Sequence, residues 1–433
     1  MRRAYSYVAS RFLYLTSFVM AGAVVGAAGH YLFQLAMSRL LGVEAFGALS
    51  ALLAIYTLLA LPASAIEVSV ARFVSELRGQ AAPKGEATRL IRQGFLGASI
   101  LGLGVAVVLV MASSMLAGFL KLESPGLIFL VAVSVLLAFV MEAAWGALQG
   151  LQKFAHLVLS FLTYPFVRLT TGISLVGLGL GVSSGLIATS LGPLSALLVG
   201  FMALRPWSTE RESAQEAKPR QGSSLRALYS HWGYAMVASL CLAVPTALDV
   251  MVARHFFSSQ VAGLYAVTAL LGKIVIFIPL AISQVMLPKV AESYFRGGAT
   301  FGLIARSLAL DLMTALCVAA TFWLIPAMVI GTLFGPSYLG AAPVVQWYGL
   351  ALVPFTLIFV VTRYSLAIDN FRYIFALLGY TVLEAAGMLI FHQSPLHIVA
   401  TIGVSSSLFL GYSLFQVLRT GKARHGLAEA AVR

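Results

Sequence analysis

Twelve apolar stretches, each long enough to cross a lipid bilayer, constrain this chain more than any other feature. They run over residues 12–37, 46–66, 91–118, 126–148, 157–179, 185–204, 233–257, 261–285, 303–333, 341–362, 373–391 and 396–418. A bilayer core about 30 Å thick needs roughly 20 apolar residues per helix. The runs are continuous rather than alternating, which selects helices over a transmembrane barrel. Composition agrees: 60% of the 433 residues are hydrophobic and 10% charged, which leaves a soluble domain too little polar surface. The expectation is an all-α polytopic membrane protein. "VGAAGH" in the first stretch imitates a signal cleavage region, but the apolar run continues to Met37, too long for a signal core. Cys241 and Cys317 fall inside predicted spans and read as packing residues.

The net charge of +13 raises the question of nucleic acid, and the positions of the charges answer it. With the N-terminus inside, 23 of the 28 Lys and Arg residues fall on the inner segments, while Arg39, Lys121 and Arg254 fall on outer turns. That asymmetry fixes an orientation with both termini cytoplasmic. The basic excess is therefore topological, and a nucleic-acid partner is not expected.

The longest polar stretch, "RPWSTERESAQEAKPRQGSSLRAL" from residue 205, reads as a flexible cytoplasmic linker bracketed by Trp207 and Trp232 as interfacial anchors. It divides the chain into a six-helix bundle over 1–204, a linker over 205–230, a second bundle over 231–418 and a cytoplasmic tail over 419–433. The halves read as repeats: Arg39, Gly47, Pro62, Arg72 and Glu76 find counterparts in Arg254, Gly263, Pro279, Lys289 and Glu292, 215 to 217 residues later. An even number of helices per half makes these parallel repeats, related by an axis along the membrane normal and facing each other across a central cavity. Gly47 and Gly263 are expected to turn the chain at the outer surface. The outer connections are short, which leaves no room for the outer domain that a membrane ligase or polymerase would use.

Seven ionisable residues fall within predicted spans: His30, Glu142, Arg168, Asp249, Lys273, Asp311 and Glu384. Such groups are costly in lipid and line aqueous cavities or pair with one another. Arg168 shares a helical face with Tyr164, Thr171 and Gly172. That polar, small stripe suits a water-filled lumen, and the alternative is a structural pair with Glu142 on the neighbouring span. Asp249 and Lys273 lie roughly 8 Å apart along the normal at about 1.5 Å per residue, so a structural pair and a substrate or ion-coupling role stand even. His30 continues the series Gly22, Gly26, His30, Gln34, whose small members suit close helix packing. Glu384 and Asp311 lack a comparable stripe. The matched prolines Pro62 and Pro279 are candidate hinges. There is no GxxxxGK[ST], HExxH, CxxC or nucleophile elbow, so neither a catalytic residue, a metal nor a cofactor is expected. "GLGLGVSSG" at 177–185 ends a span and is an improbable phosphate loop.

"SRLLGVEAFGALSAL" (38–52), "LQGLQKF" (148–154) and the run "LDVMVARHFFSSQVAGLYAVTALLGKIVIFIPLAISQVMLPKVAES" resemble polysaccharide-type oligosaccharide flippases (Wzx-like) of the multidrug/oligosaccharidyl-lipid/polysaccharide (MOP) exporter superfamily. The resemblance covers most of the chain, weakly after the eighth span. It implies a MATE-like fold, with twelve transmembrane helices in two pseudo-symmetric six-helix bundles around a central cavity. It also implies alternating-access translocation of an undecaprenyl-pyrophosphate-linked oligosaccharide to the outer leaflet of a bacterial cytoplasmic membrane, for surface polysaccharide biosynthesis. Arg168, Lys273 and His30 would supply a cationic lumen for the pyrophosphate. Arg39 and Arg254 are candidates for an outer gate, or interfacial arginines that meet headgroups. Glu142, Asp249 and Glu384 are candidates for ion pairing or coupling. Partners on this reading are the lipid-linked oligosaccharide, membrane lipids and a polysaccharide polymerase or other glycan-assembly protein, and a monomer suffices. The rival readings are a drug/cation antiporter of the same superfamily, which favours acidic cavity residues, and a non-transporting component of a polysaccharide-secretion complex.

Overall fold

The computed structural model describes residues 2–80, 84–208, 225–276, 301–367 and 371–432. Pro279, Lys289, Glu292, most of the 205–230 linker, the side chains of Trp207 and Trp232, and the end of the eighth apolar stretch lie outside them. Among the described residues, twelve helical segments are long and apolar enough to cross a membrane. The chain divides into two compact units, Met1–Met236 and Val237–Arg433.

In the first unit α1 (Arg2–Leu41) and α2 (Val43–Ala60) meet at Gly42 alone, whose φ of +77° suits a residue without a Cβ. Gly47, expected at this turn, instead lies buried within α2, and Gly263 lies inside its own helix. The earlier glycine carries the positive φ, so the turn falls five residues sooner. A short 3-10 turn, Leu61–Ala63, absorbs Pro62, and α3 (Ser64–Gly79) carries the helix well past the predicted end at residue 66. It remains helical because Ile66, Ser69, Val70 and Val74 form a buried face against α6 (Gly126–Gly150). Helix α4 (Lys84–Met111) gives way to α5 (Ser113–Phe119) where one stretch was expected. Helices α7 (Phe154–Gly177) and α8 (Gly181–Ser208) complete the unit, and "GLGLGVSSG" forms their tight turn with Gly179 and Gly181 at positive φ. Helix α6 packs on α3, α4 and α8, while α7 packs on α1 and α8. The α1–α7 seam is close because the former's Gly26 sits where a Cβ would stand 2.8 Å from the Phe161 carbonyl oxygen.

The second unit begins within α9 (Leu225–Phe256), followed by α10 (Ser259–Ile276). The predicted stretch 303–333 is two helices, α11 (Phe301–Leu324) and α12 (Pro326–Leu333). Pro326 pushes Ile325 out of the helical region, to φ −133° and ψ 43°. Helices α13 (Ala342–Ala367), α14 (Phe371–Ile390) and α15 (Pro395–Val432) follow, with α13 packed between α11 and α15. Cys241 is buried, Cys317 exposed, and both are free thiols.

Candidate functional site

Tyr164 and Arg168 lie one helical turn apart on α7, so both side chains point to one side. That face is packed rather than open. Arg168 is 6% exposed, with Nη1 3.4 Å from His30 Nδ1 and its guanidinium 4.1 Å from the Phe33 ring centre, within cation–π range. Among the described residues the guanidinium Nε–H meets no acceptor. Tyr164 fixes the other side: its ring and that of His30 meet edge to face with centres 4.4 Å apart, and its hydroxyl lies 3.0 Å from that of Tyr56 on α2. Gly192 on α8 makes the seat for this ring, since a Cβ there would overlap Tyr164.

Glu142 does not pair with Arg168. Among the described residues no ion pair joins them, and the Glu142 carboxyl faces that of Glu67 on α3 within hydrogen-bonding reach. Gly146 brings the two helices together, since a Cβ there would stand 2.6 Å from the Glu67 carbonyl oxygen. Tyr56 lies within electrostatic reach of both Glu142 and Arg168. Nor does His30 add positive charge in this state. A guanidinium only donates hydrogen bonds, so His30 Nδ1 accepts and the ring proton resides on Nε2.

The second unit is organised around an anion. Asp249 on α9 is fully buried, and its Oδ2 accepts hydrogen bonds from Tyr348 (2.6 Å) and Tyr265 (3.2 Å). Its Oδ1 accepts from the Val250 backbone N–H at 2.7 Å. Lys273 on α10 is an electrostatic neighbour of this carboxylate, and the side-chain hydrogen bonds to it come from the tyrosines. Gly272 provides the seat for Tyr348, whose ring a Cβ would overlap. Glu384 on α14 is 1% exposed, with Tyr380 and Ser405 within hydrogen-bonding reach of its carboxyl. Asp311 on α11 is buried too.

Arg39 is exposed in the last turn of α1 and Arg254 is buried in the last turn of α9. At these positions a cation faces the negative end of its helix. At the opposite end of the first unit, the "LQGLQKF" turn is tied by basic side chains. Arg78 Nη1 donates to the Leu151 carbonyl and Lys153 Nζ to that of Ala203, each at 2.5 Å. Among the described residues no group of three or more His, Cys, Asp or Glu is placed to hold a metal.

Sequence reasoning found the charged residues and missed what surrounds them: Phe33, Tyr56, Glu67, Tyr265, Tyr348 and the two seating glycines. The available signal for Glu67 was the pair Gly146 and Gly150, four residues apart, which marks a close helix contact.

Among the described residues, twelve apolar helices, with ionisable groups buried in each unit, define a multi-pass membrane protein, and its fold is MATE-like. An inward-facing multidrug resistance MATE family transporter matches at a TM-score of 0.74 and 13% identity, over 92% of this chain and 99% of that one. A MOP superfamily transporter from Pyrococcus furiosus, described by a reversed polarity of its binding pocket, matches at 0.67 and 13%, over 93% and 95%. The lipid II flippase MurJ in an inward closed conformation matches at 0.67 and 14%, over 91% and 87%. No curated protein matches the sequence significantly. Residues 12–293 match the family described as polysaccharide biosynthesis protein, and the chain belongs to that family.

Proposed function

We propose that the protein is a flippase carrying an oligosaccharide linked to a polyprenyl pyrophosphate, undecaprenyl in bacteria, from the cytoplasmic to the outer leaflet by alternating access. Its place on this reading is the cytoplasmic membrane with both termini inside, its two units are the two moving halves, and its product feeds surface polysaccharide assembly. One observation carries the reading: among the described residues no carboxylate stands against the buried Arg168 cation and its Nε–H donor is unused. A lone buried cation is costly, and an anionic headgroup is the ligand that relieves it. The family description and the lipid-flipping structural relative point the same way. In the state described here His30, Phe33 and Tyr164 cover the guanidinium, so the headgroup enters only once α1 and α7 part around it. Lys273 is the second cation of the route, and Asp249 and Glu384 are the coupling groups.

The test is reconstitution into liposomes with a lipid-linked oligosaccharide, scoring outward exposure of the sugar. Protein-dependent exposure that disappears in Arg168→Met is expected, whereas no exposure across several glycans sinks the reading. The buried acids of the second unit favour one rival, a cation antiporter. Export of a cationic dye against a proton or sodium gradient, with no sugar exposure, would establish it.

A further inference from the structure

The contact between Arg168 and His30 links a proton to the cargo. A guanidinium has donors only, so the 3.4 Å contact with His30 Nδ1 exists only while the imidazole is neutral. Protonation of the ring at Nδ1 sets two cations against each other at that distance and breaks the contact. An anion arriving at the guanidinium reverses the balance, because a negative charge beside the imidazole favours its charged form. Among the described residues no carboxylate competes for this role at His30. From α7 it is faced by Arg168 and Tyr164, from α2 by Tyr56 through the Tyr164 hydroxyl, and α8 offers Gly192 there. Along α1 the neighbouring ionisable group is Tyr31, half-buried beside it.

We propose that His30 is a proton-binding site, filled when an anionic diphosphate headgroup occupies Arg168 and emptied when it leaves. This rests on the flippase reading and adds to it a proton that travels with the headgroup. Binding and protonation are reciprocal, so each strengthens the other by the same factor. The imidazole is suited to this because it is the side chain whose unperturbed range lies near neutral pH, and a diphosphate seated on Arg168 opposes the cationic field at the ring.

The experiment is titration calorimetry on the full-length protein with a farnesyl-diphospho-N-acetylglucosamine probe, a diphosphate diester that stays ionised between about pH 5.5 and 8.5. Repeating it in buffers of different ionisation enthalpy counts the protons taken up. The wild-type protein is expected to take up a substantial fraction of one proton per probe and to bind up to about tenfold tighter per pH unit lowered. In His30→Gln the uptake vanishes and affinity becomes independent of pH across the same range. Wild-type binding without proton uptake overturns the proposal and leaves the flippase reading standing, and this measurement does not depend on the variant folding. Equal uptake by folded His30→Gln overturns it too. Failure of the folded wild-type protein to bind the probe at any pH removes the flippase reading, and this proposal falls with it.

Discussion

The surroundings of Arg168 and Asp249 are built alike and charged oppositely. In each unit a tyrosine is seated on a glycine, Tyr164 on Gly192 and Tyr348 on Gly272, and stands beside a buried ion. In the second unit that ion is satisfied: two hydroxyls and a backbone N–H reach Asp249, and Lys273 lies near. In the first, Tyr164 turns its hydroxyl to Tyr56, leaving Arg168 to a neutral imidazole, an aromatic face and one unused donor. Two halves that share an architecture thus divide the chemistry. One buries an anion that hydroxyls and a backbone N–H satisfy, and the other buries a cation that meets no carboxylate among the described residues.

The largest expected effect tests that division. Asp249→Ala strips the partner from two buried hydroxyls and leaves Lys273 without its counter-charge, so it is expected to destabilise the protein by about 3–5 kcal/mol. Arg168→Met removes a cation that no acid balances and is expected to leave stability within about 1 kcal/mol. Sugar exposure in liposomes should nevertheless fall on the order of tenfold or more, the loss of a charged hydrogen bond worth about 1.5–3 kcal/mol. Denaturation of the purified proteins reads the first difference. Equal destabilisation by the two substitutions would break the comparison.

The hydroxyls give a smaller contrast. Tyr348 donates to a carboxylate at 2.6 Å, so Tyr348→Phe should cost about 1.5–3 kcal/mol. Tyr56 meets only another phenol at 3.0 Å, so Tyr56→Phe should cost about 0.5–1.5 kcal/mol. The reverse ranking in thermal midpoints would mean that the first unit holds the more tightly satisfied network. The seating glycines sharpen the likeness instead: Gly192→Ala and Gly272→Ala each push a tyrosine ring aside and should cost about 1–3 kcal/mol by overpacking. Only the first should also disturb headgroup binding, because the ring it moves supports His30.

Most of the fold is legible in the sequence because crossing lipid imposes a length and a composition that no other environment requires. Arg168, Asp249, Lys273 and Glu384 are legible for the same reason, since each interrupts an apolar run. Their partners are not. Tyrosine and phenylalanine pass unnoticed inside an apolar stretch, and whether Glu142 meets Arg168 or Glu67 depends on which helix α6 packs against. Glu67 itself falls just past the predicted end of the second stretch, where loss of hydrophobicity imitates loss of helix. The helix in fact continues to Gly79, because one of its faces remains apolar.

The smallest expected effect is the most discriminating about coupling. Among the described residues no cation stands against Glu384, so Glu384→Gln removes a buried charge while its side-chain oxygen still accepts from Tyr380 or Ser405. Stability should stay within about 0.5 kcal/mol of the wild type, or rise. If Glu384 is a coupling group, the same substitution uncouples sugar exposure from an imposed proton or sodium gradient while exposure without a gradient persists. A fully gradient-dependent Glu384→Gln protein would remove the residue from the coupling route. Coupling would then fall to Asp249, the other coupling group of the second unit, or to the first unit. There His30 is the one group whose charge the cargo itself would set.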